Sequence, residues 1–212
     1  GVRSVYALRH RALDGGEPCA LSAEGTAEML REYGRPQDAS REMDRFVAII
    51  DLDDETRLRR RNLLLQTGRW SDAANDQWEL AGFETPRSVL DLAVMLTRAG
   101  RYTETAEVLE MYLDHQDWPA SDLEACADLF ADAGYTDRAI EIYESIDEAE
   151  IGKSHEQMIV NTLSRVGEPR RALEYQLPKA RRSGSVGDWM TAIRLAGSLG
   201  EAEAGPVIDE AL

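Results

Sequence analysis

Three histidines, two cysteines and a dense population of carboxylates are the residues of this chain whose types could carry chemistry. His10, His115 and His155 each lack a second histidine or cysteine three or four residues away, the spacing that would set two metal ligands on one helical face. They are expected to be helix-end histidines in solvent. Cys19 and Cys126 lie far apart and outside any Cys-x-x-Cys pairing, so they suggest neither a zinc site nor a disulfide framework. Asp51, Asp53, Asp54 and Glu55 have the charge of a calcium loop but not its glycine or its closing glutamate, and a connecting loop is expected there. No phosphate-binding glycine loop, nucleophile elbow, dinucleotide fingerprint or His-Glu-x-x-His occurs. Carboxylate pairs abound, but with 40 acidic residues in 212 they are unavoidable and do not indicate acid–base catalysis. The residues thus predict no catalytic group, no metal ligand and no cofactor.

Binding is the remaining chemistry. The net charge of −16 argues against a nucleic-acid partner, because a phosphate backbone rewards positive surface, and favours a basic one. The charge is not evenly spread. Residues 104–150 hold 15 acidic residues against Arg138 alone, whereas from Arg165 to Arg194 seven basic residues face Glu168, Glu174 and Asp188. Such an acidic belt can steer a cationic partner, or it can simply solvate helix faces. Of the four tryptophans, Trp70 and Trp189 fall on packing positions and Trp78 shares a helix with Trp70. Trp118, just ahead of Pro119 and among acidic residues, is the one expected at the surface as a contact.

The elements that would hold these residues follow from a repeat. Gly34, Gly68, Gly100, Gly134, Gly167 and Gly200 each close one apolar stretch of helical period and open another, at spacings of 32 to 34 residues. Five residues after the turn comes a small side chain in most units: Ala39, Ala73, Thr105, Ala139, Ala172 and Gly205. The clearest unit starts at Ser121. Its first helix aligns Leu123, Cys126, Ala127 and Phe130, and its second Ala139, Ile140, Tyr143 and Ile146. Ser121 with Glu124 reads as a capping box, and Thr85 with Pro86 as the N-cap and first residue of the preceding unit. Arg57, Arg60 and Arg61 stand on a face that should be apolar, and Pro178 and Gly205-Pro206 should interrupt the second helices of the fifth and sixth units.

The pattern carried by Leu92, Ala93, Gly100 and Tyr102, and again by Cys126, Ala127, Gly134, Ala139 and Tyr143, resembles the tetratricopeptide repeat family. The resemblance spans residues 20–212, strongest between Thr85 and Glu150. It implies an all-α fold, an α-solenoid of about six tandem helix-turn-helix repeats forming a superhelix. Residues 1–16 then read as the second helix of a preceding repeat, and the sequence as a piece of a longer array.

The resemblance also implies a function. Such arrays bind partners along a concave face of first helices, which would present Ser121, Glu124, Asp128, Ala131 and Asp132 in the best unit and Glu24, Glu28, Arg31 and Glu32 in the first. The expected partner-binding set is Glu124, Asp128, Asp132, Trp118, Glu28 and Glu32. Asn62 and Asn161 match two positions of the family's clamp for acidic C-terminal tails, but its basic residues are missing, which excludes that use. The expectation is a non-catalytic protein–protein interaction scaffold whose partner is a basic protein or a cationic polysaccharide. Only Lys153 and Lys179 are lysines among 24 basic residues, an arginine bias associated with GC-rich bacterial genomes. With its divergent repeats and acidic surface the chain also resembles, more weakly, the tetratricopeptide region of bacterial exopolysaccharide-export outer-membrane proteins, and that resemblance implies a periplasmic region of an exopolysaccharide secretion complex that docks a modifying enzyme. The alternative is a recognition module of a larger cytoplasmic regulatory protein or enzyme. No apolar run of 18 residues occurs, so any membrane attachment would come from segments outside the sequence.

Overall fold

The computed structural model describes residues 20–47, 52–80, 85–113, 118–151 and 154–212. The expected helix of residues 1–16, Cys19, the loop at Asp51, and His10 and His115 lie outside them, as does the side chain of Glu24. Thirteen helices and no strand occur among the described residues. They are α1 (Ala20–Glu32), α2 (Pro36–Val47), α3 (Asp54–Gln66), α4 (Trp70–Glu79), α5 (Pro86–Arg98), α6 (Tyr102–Leu113), α7 (Ala120–Asp132), α8 (Thr136–Ser145), the single turn α9 (Glu148–Ile151), α10 (His155–Arg165), α11 (Pro169–Ser183), α12 (Val186–Leu199) and α13 (Glu201–Ala211). Tandem helical hairpins place the chain in the α-solenoid class. None of the described helices is long and apolar enough to cross a membrane.

The hairpin turns follow from their glycines. At Gly134 the backbone takes φ +89°, a left-handed conformation that a side chain would strain. That geometry lets Tyr135 N–H donate to the Phe130 carbonyl at 2.8 Å and Gly134 N–H to that of Ala131 at 3.0 Å, which satisfies carbonyls the helix end would leave open. The first of these bonds recurs from Arg35 to Leu30, Arg69 to Leu64 and Glu168 to Leu163. Gly200 differs: with φ +127° and ψ 169° it ends α12 and starts α13 without an intervening residue.

Five positions after each turn, Ala39, Ala73, Thr105, Ala139 and Ala172 are all 0% exposed, which is why only a small residue fits there. Gly205, in the same register, is not buried. Two expected interruptions are absent. Pro178 sits inside a continuous α11, and Gly205-Pro206 inside a continuous α13. A proline costs a helix one hydrogen bond, and these helices continue on both sides of it. The capping box at Ser121 is also not formed, since α7 begins one residue earlier, at Ala120, with Pro119 as its N-cap and no side-chain cap.

The chain divides into two compact units. The first contains the described residues up to Thr85 together with Arg98–Arg101, and the second contains Pro86–Thr97 and Tyr102–Leu212. In the second unit, Leu92, Ala93, Cys126, Ala127, Phe130, Ile142, Tyr143, Ile159 and Leu163 build an apolar core. In the first unit, Ala27, Leu30, Ala39, Met43 and Leu63 form a smaller one. There two of the arginines expected on an apolar face of α3, Arg60 and Arg61, have polar side-chain counterparts, while Arg57 reaches the Leu52 carbonyl at 3.5 Å. Arg60 Nη1 donates to Asp76 Oδ1 on α4 at 2.5 Å and Nη2 to Asp44 Oδ1 on α2 at 3.3 Å, while Arg61 donates to Gln77. By register on the turn glycines, Arg60 and Asp76 occupy the places of Leu92 and Val108 one repeat later. Hydrogen-bonded charge thus replaces apolar packing in this hairpin. Arg69 adds bonds to Ser40 at 2.9 Å and to Asp44 and Asp72. Trp70 is half-buried, with the Arg98 guanidinium 5.9 Å from its ring centroid.

Candidate functional site: a first-helix groove in the second unit

Helices α7, α8 and α10 enclose a groove of about 260 Å³ whose walls include Glu124 and Asp128 of α7, Tyr143 of α8, and Met158, Asn161 and Arg165 of α10. Helical spacing puts Glu124 and Asp128 one turn apart on one face of α7, and Asn161 and Arg165 likewise on α10. Both helices are held in register by the turn geometry described above. The second-helix contribution is Tyr143, 1% exposed, whose hydroxyl donates to Asp128 Oδ1 at 2.9 Å and shares a hydrogen bond with Thr162 at 2.8 Å. Burial pushes the Tyr143 phenol up, so at neutral pH it remains a proton donor.

Arg165 joins successive hairpins, one guanidinium nitrogen on Asp128 at 2.5 Å and another on Asp132. With the Tyr143 proton on Asp128, the Thr162 hydroxyl donates to the Tyr143 oxygen and lies 3.2 Å from the same carboxylate oxygen. The Asp128 carboxylate is therefore fixed by Tyr143 and Arg165 while its side chain stays 44% exposed. Asn161 is exposed, and its amide oxygen accepts from Gln157 at 2.9 Å. The groove is thus preformed: buried Tyr143 and Met158 support one exposed amide and an acid–base pair.

The residues expected from sequence to meet a partner are distributed unevenly. Glu124 and Asp128 share this groove, and Asp132 stands at its edge through Arg165. Ala131, expected beside them, is 3% exposed and belongs to the core. Trp118 is half-buried, and its indole N–H donates to the Tyr112 carbonyl at 3.2 Å, which anchors the ring to α6. In the first unit, Glu28 pairs with Arg31 and lines a separate hollow of about 410 Å³ with Met43, Arg59, Asn62 and Gln66. Glu32 is exposed at the end of α1. Counted back six residues from their turn glycines, Glu28 and Asn62 match Asp128 and Asn161. Each unit therefore carries an acid followed one repeat later by an asparagine.

Sequence reasoning missed Arg165, Tyr143 and Thr162 as parts of the site. The signal was available in the register, because Arg165 precedes Gly167 by two residues as Asp132 precedes Gly134. It also overstated the acidic belt. Pairing at one-repeat separation brings basic residues onto it: Arg165 to Asp132 and Asp128, and Arg171 to Asp137 at 2.5 Å. Arg138 holds both oxygens of Glu110, at 2.8 and 3.0 Å. Asp53, in the segment with calcium-loop charge, caps α3 by accepting from Thr56 N–H at 2.8 Å. His155 begins α10, but it is half-buried with Nε2 2.6 Å from the Ile146 carbonyl, which corrects the expectation of a solvent-exposed ring. Among the described residues, no group of three or more His, Cys, Asp or Glu is placed to hold a metal ion.

No protein-family model matches the chain, and no curated protein matches it in sequence. Solved structures do. A chain of the Naa15/Naa10 complex bound to HypK-THB superposes with a TM-score of 0.70 at 14% identity, over 92% of this chain and 31% of that one. A tetratricopeptide repeat protein from Parabacteroides merdae superposes with a TM-score of 0.50 at 13% identity, over 99% of this chain and 85% of that one. The fold is tetratricopeptide-like. This chain spans about a third of the Naa15/Naa10 chain that it matches. At these identities the likeness concerns backbone architecture, and the groove residues rest on their own geometry.

Proposed function

We propose that the chain is a non-catalytic scaffold that binds an extended segment of a partner protein in the groove of its second unit. The observation that carries this reading is the convergence of Asn161, Glu124, Asp128 and Arg165 on one preformed cavity. An asparagine amide both donates and accepts, and so matches a peptide group, with each such bond worth about 0.5–1.5 kcal/mol net. Glu124 and the Asp128–Arg165 pair then select the side chains on either side of it. The similar chain in the Naa15/Naa10 structure belongs to an assembly with other proteins, which agrees with this use of the fold.

The setting expected from sequence is a periplasmic exopolysaccharide secretion complex. There, the groove would hold a loop or tail of the modifying enzyme; in a cytoplasmic regulatory protein it would hold a substrate segment. A polypeptide suits the groove better than a cationic polymer does. A polymer of like charges needs a run of unpaired carboxylates, whereas Asp128 and Asp132 already hold Arg165.

The test is affinity capture from an extract of the source organism, with mass spectrometry of what is retained. The full chain is compared with its Asn161→Ala and Arg165→Glu variants. A protein retained by the full chain and lost with both variants supports the reading. Retention that is indifferent to both contradicts it.

A further inference from the structure

The second unit has a larger hollow, of about 650 Å³, away from the groove, where α6 and α8 meet the end of α7. Its lining includes Ala106, Glu107 and Met111 of α6, Phe130 of α7, and Tyr135 and Arg138 at the start of the next helix. Phe130 is 1% exposed and forms the floor, with the Tyr135 ring set edge-on to it at 6.4 Å between centroids. Met111 and Tyr135, by contrast, are 52% and 41% exposed. Closing the junction between hairpins does not require them to be apolar. One repeat later the same positions, counted from the turn glycines, are Ser145 and Glu168. Large apolar side chains kept in water around an open hollow forgo the gain that burial brings, which is the mark of a surface that a partner covers.

The rim gives that partner a charge. All three nitrogens of the Arg138 guanidinium are committed, Nε and Nη2 to Glu110 and Nη1 to Glu141 at 2.8 Å. Glu110 is neutralised by the same contact. Glu107, exposed on the same helix face, makes no ion pair among the described residues. The uncommitted charge beside the apolar floor is therefore negative. An acidic segment or a nucleic acid would meet repulsion there, and a basic side chain would meet a carboxylate.

We infer that this hollow is a second docking site, distinct from the groove. Its occupant is a segment of a partner protein that presents an aliphatic or aromatic side chain with a lysine or arginine next to it. The apolar side chain rests on Phe130 between Met111 and Tyr135, and the cation reaches Glu107.

The experiment pans a phage library of random 12-residue peptides on the full chain and measures one enriched synthetic peptide by fluorescence anisotropy. The expected peptides pair an apolar with a basic residue. Their affinity falls at least tenfold in Met111→Glu and several-fold in Glu107→Lys, falls with raised salt, and stays within twofold in Asn161→Ala. Met111, Glu107 and Tyr135 are exposed, so these variants keep the helical circular dichroism and melting point of the parent; Tyr135→Ser serves as an independent third variant. The inference is overturned by any of three results: no enrichment, enriched peptides that Asn161→Ala rejects and Met111→Glu retains, or a dimer of this chain in sedimentation that Met111→Glu dissolves. The second result would leave the groove reading standing, and the third would make the occupant another copy of the chain.

Discussion

Arg60→Leu should unfold the first unit more readily than any apolar-to-apolar change in it. The Arg60 and Asp76 side chains are 12% and 4% exposed and meet at 2.5 Å. Arg60 also reaches Asp44, but Asp44 keeps Arg69 when Arg60 is removed, so the loss falls on Asp76. Breaking a buried pair from one side strands a charge and costs about 3–5 kcal/mol. Replacing both partners by the residues of the neighbouring repeat, Arg60→Leu with Asp76→Val, strands nothing and should return to within about 1–2 kcal/mol of the parent. Burial already pushes the Asp76 carboxyl above its usual range, with Arg60 and then Arg57 holding it back. Without Arg60 it rises further. A native value raised above the unfolded one gives a contribution that is present at low pH and lost as pH rises through the raised value. The penalty of the single variant should therefore be largest at pH 7 and shrink in acid. Urea unfolding followed by circular dichroism, with the four proteins of the double-mutant cycle at pH 7 and pH 4, measures all of this. A single variant that costs less than about 1 kcal/mol, or a double variant no more stable than the single, would refute the buried-pair account.

Three further outcomes are expected. Gly134→Ala should cost about 1 kcal/mol by urea unfolding, all of it backbone strain at φ +89°, because an added Cβ meets no atom there. In a Cys19→Ser background, the Cys126 thiol should resist a disulfide reagent at pH 8 and react once urea is added, since burial pushes it up to about 12. Asp188→Asn should destabilise by about 1–2 kcal/mol at pH 7, because the Ser183 hydroxyl, then Lys179 and Gln176, hold this carboxyl below its usual range. A lowered value contributes stability above the unfolded carboxylate range and loses it as pH falls through the lowered one, so the two proteins should converge in strong acid.

How far these features could be read from sequence depended on whether they were local. The turn glycines and the small residues after them announce the hairpins, because each acts within a few residues of itself. The register counted from those glycines also puts Asp128 and Asn161 in equivalent places. Contacts one repeat apart were not legible in the same way. Residues 104–150 look almost purely acidic in a linear window, yet Arg165 and Arg171 fold back onto Asp128, Asp132 and Asp137 from outside it. Arg60 and Arg61 look like a flaw in an apolar face because their counterparts, Asp76 and Gln77, sit on the partner helix in places held by Val108 and Leu109, and by Ile142 and Tyr143, in the next two repeats. Pro178 and Pro206 were read by local rule, and helices packed by their neighbours carry them. The charge around Trp118 is visible in sequence, but its bond to the Tyr112 carbonyl, six residues back, is not.

The central claim is that a protein segment lies in the groove between α7 and α10, and site-specific photo-crosslinking tests it most directly. p-Benzoylphenylalanine replaces Glu124 in the groove, or Glu174, exposed on α11, as the control. After irradiation in an extract of the source organism, the account predicts a discrete protein adduct from position 124 that is absent from position 174 and abolished by adding Asn161→Ala. Adducts that form equally from both positions, or that survive Asn161→Ala, would contradict it.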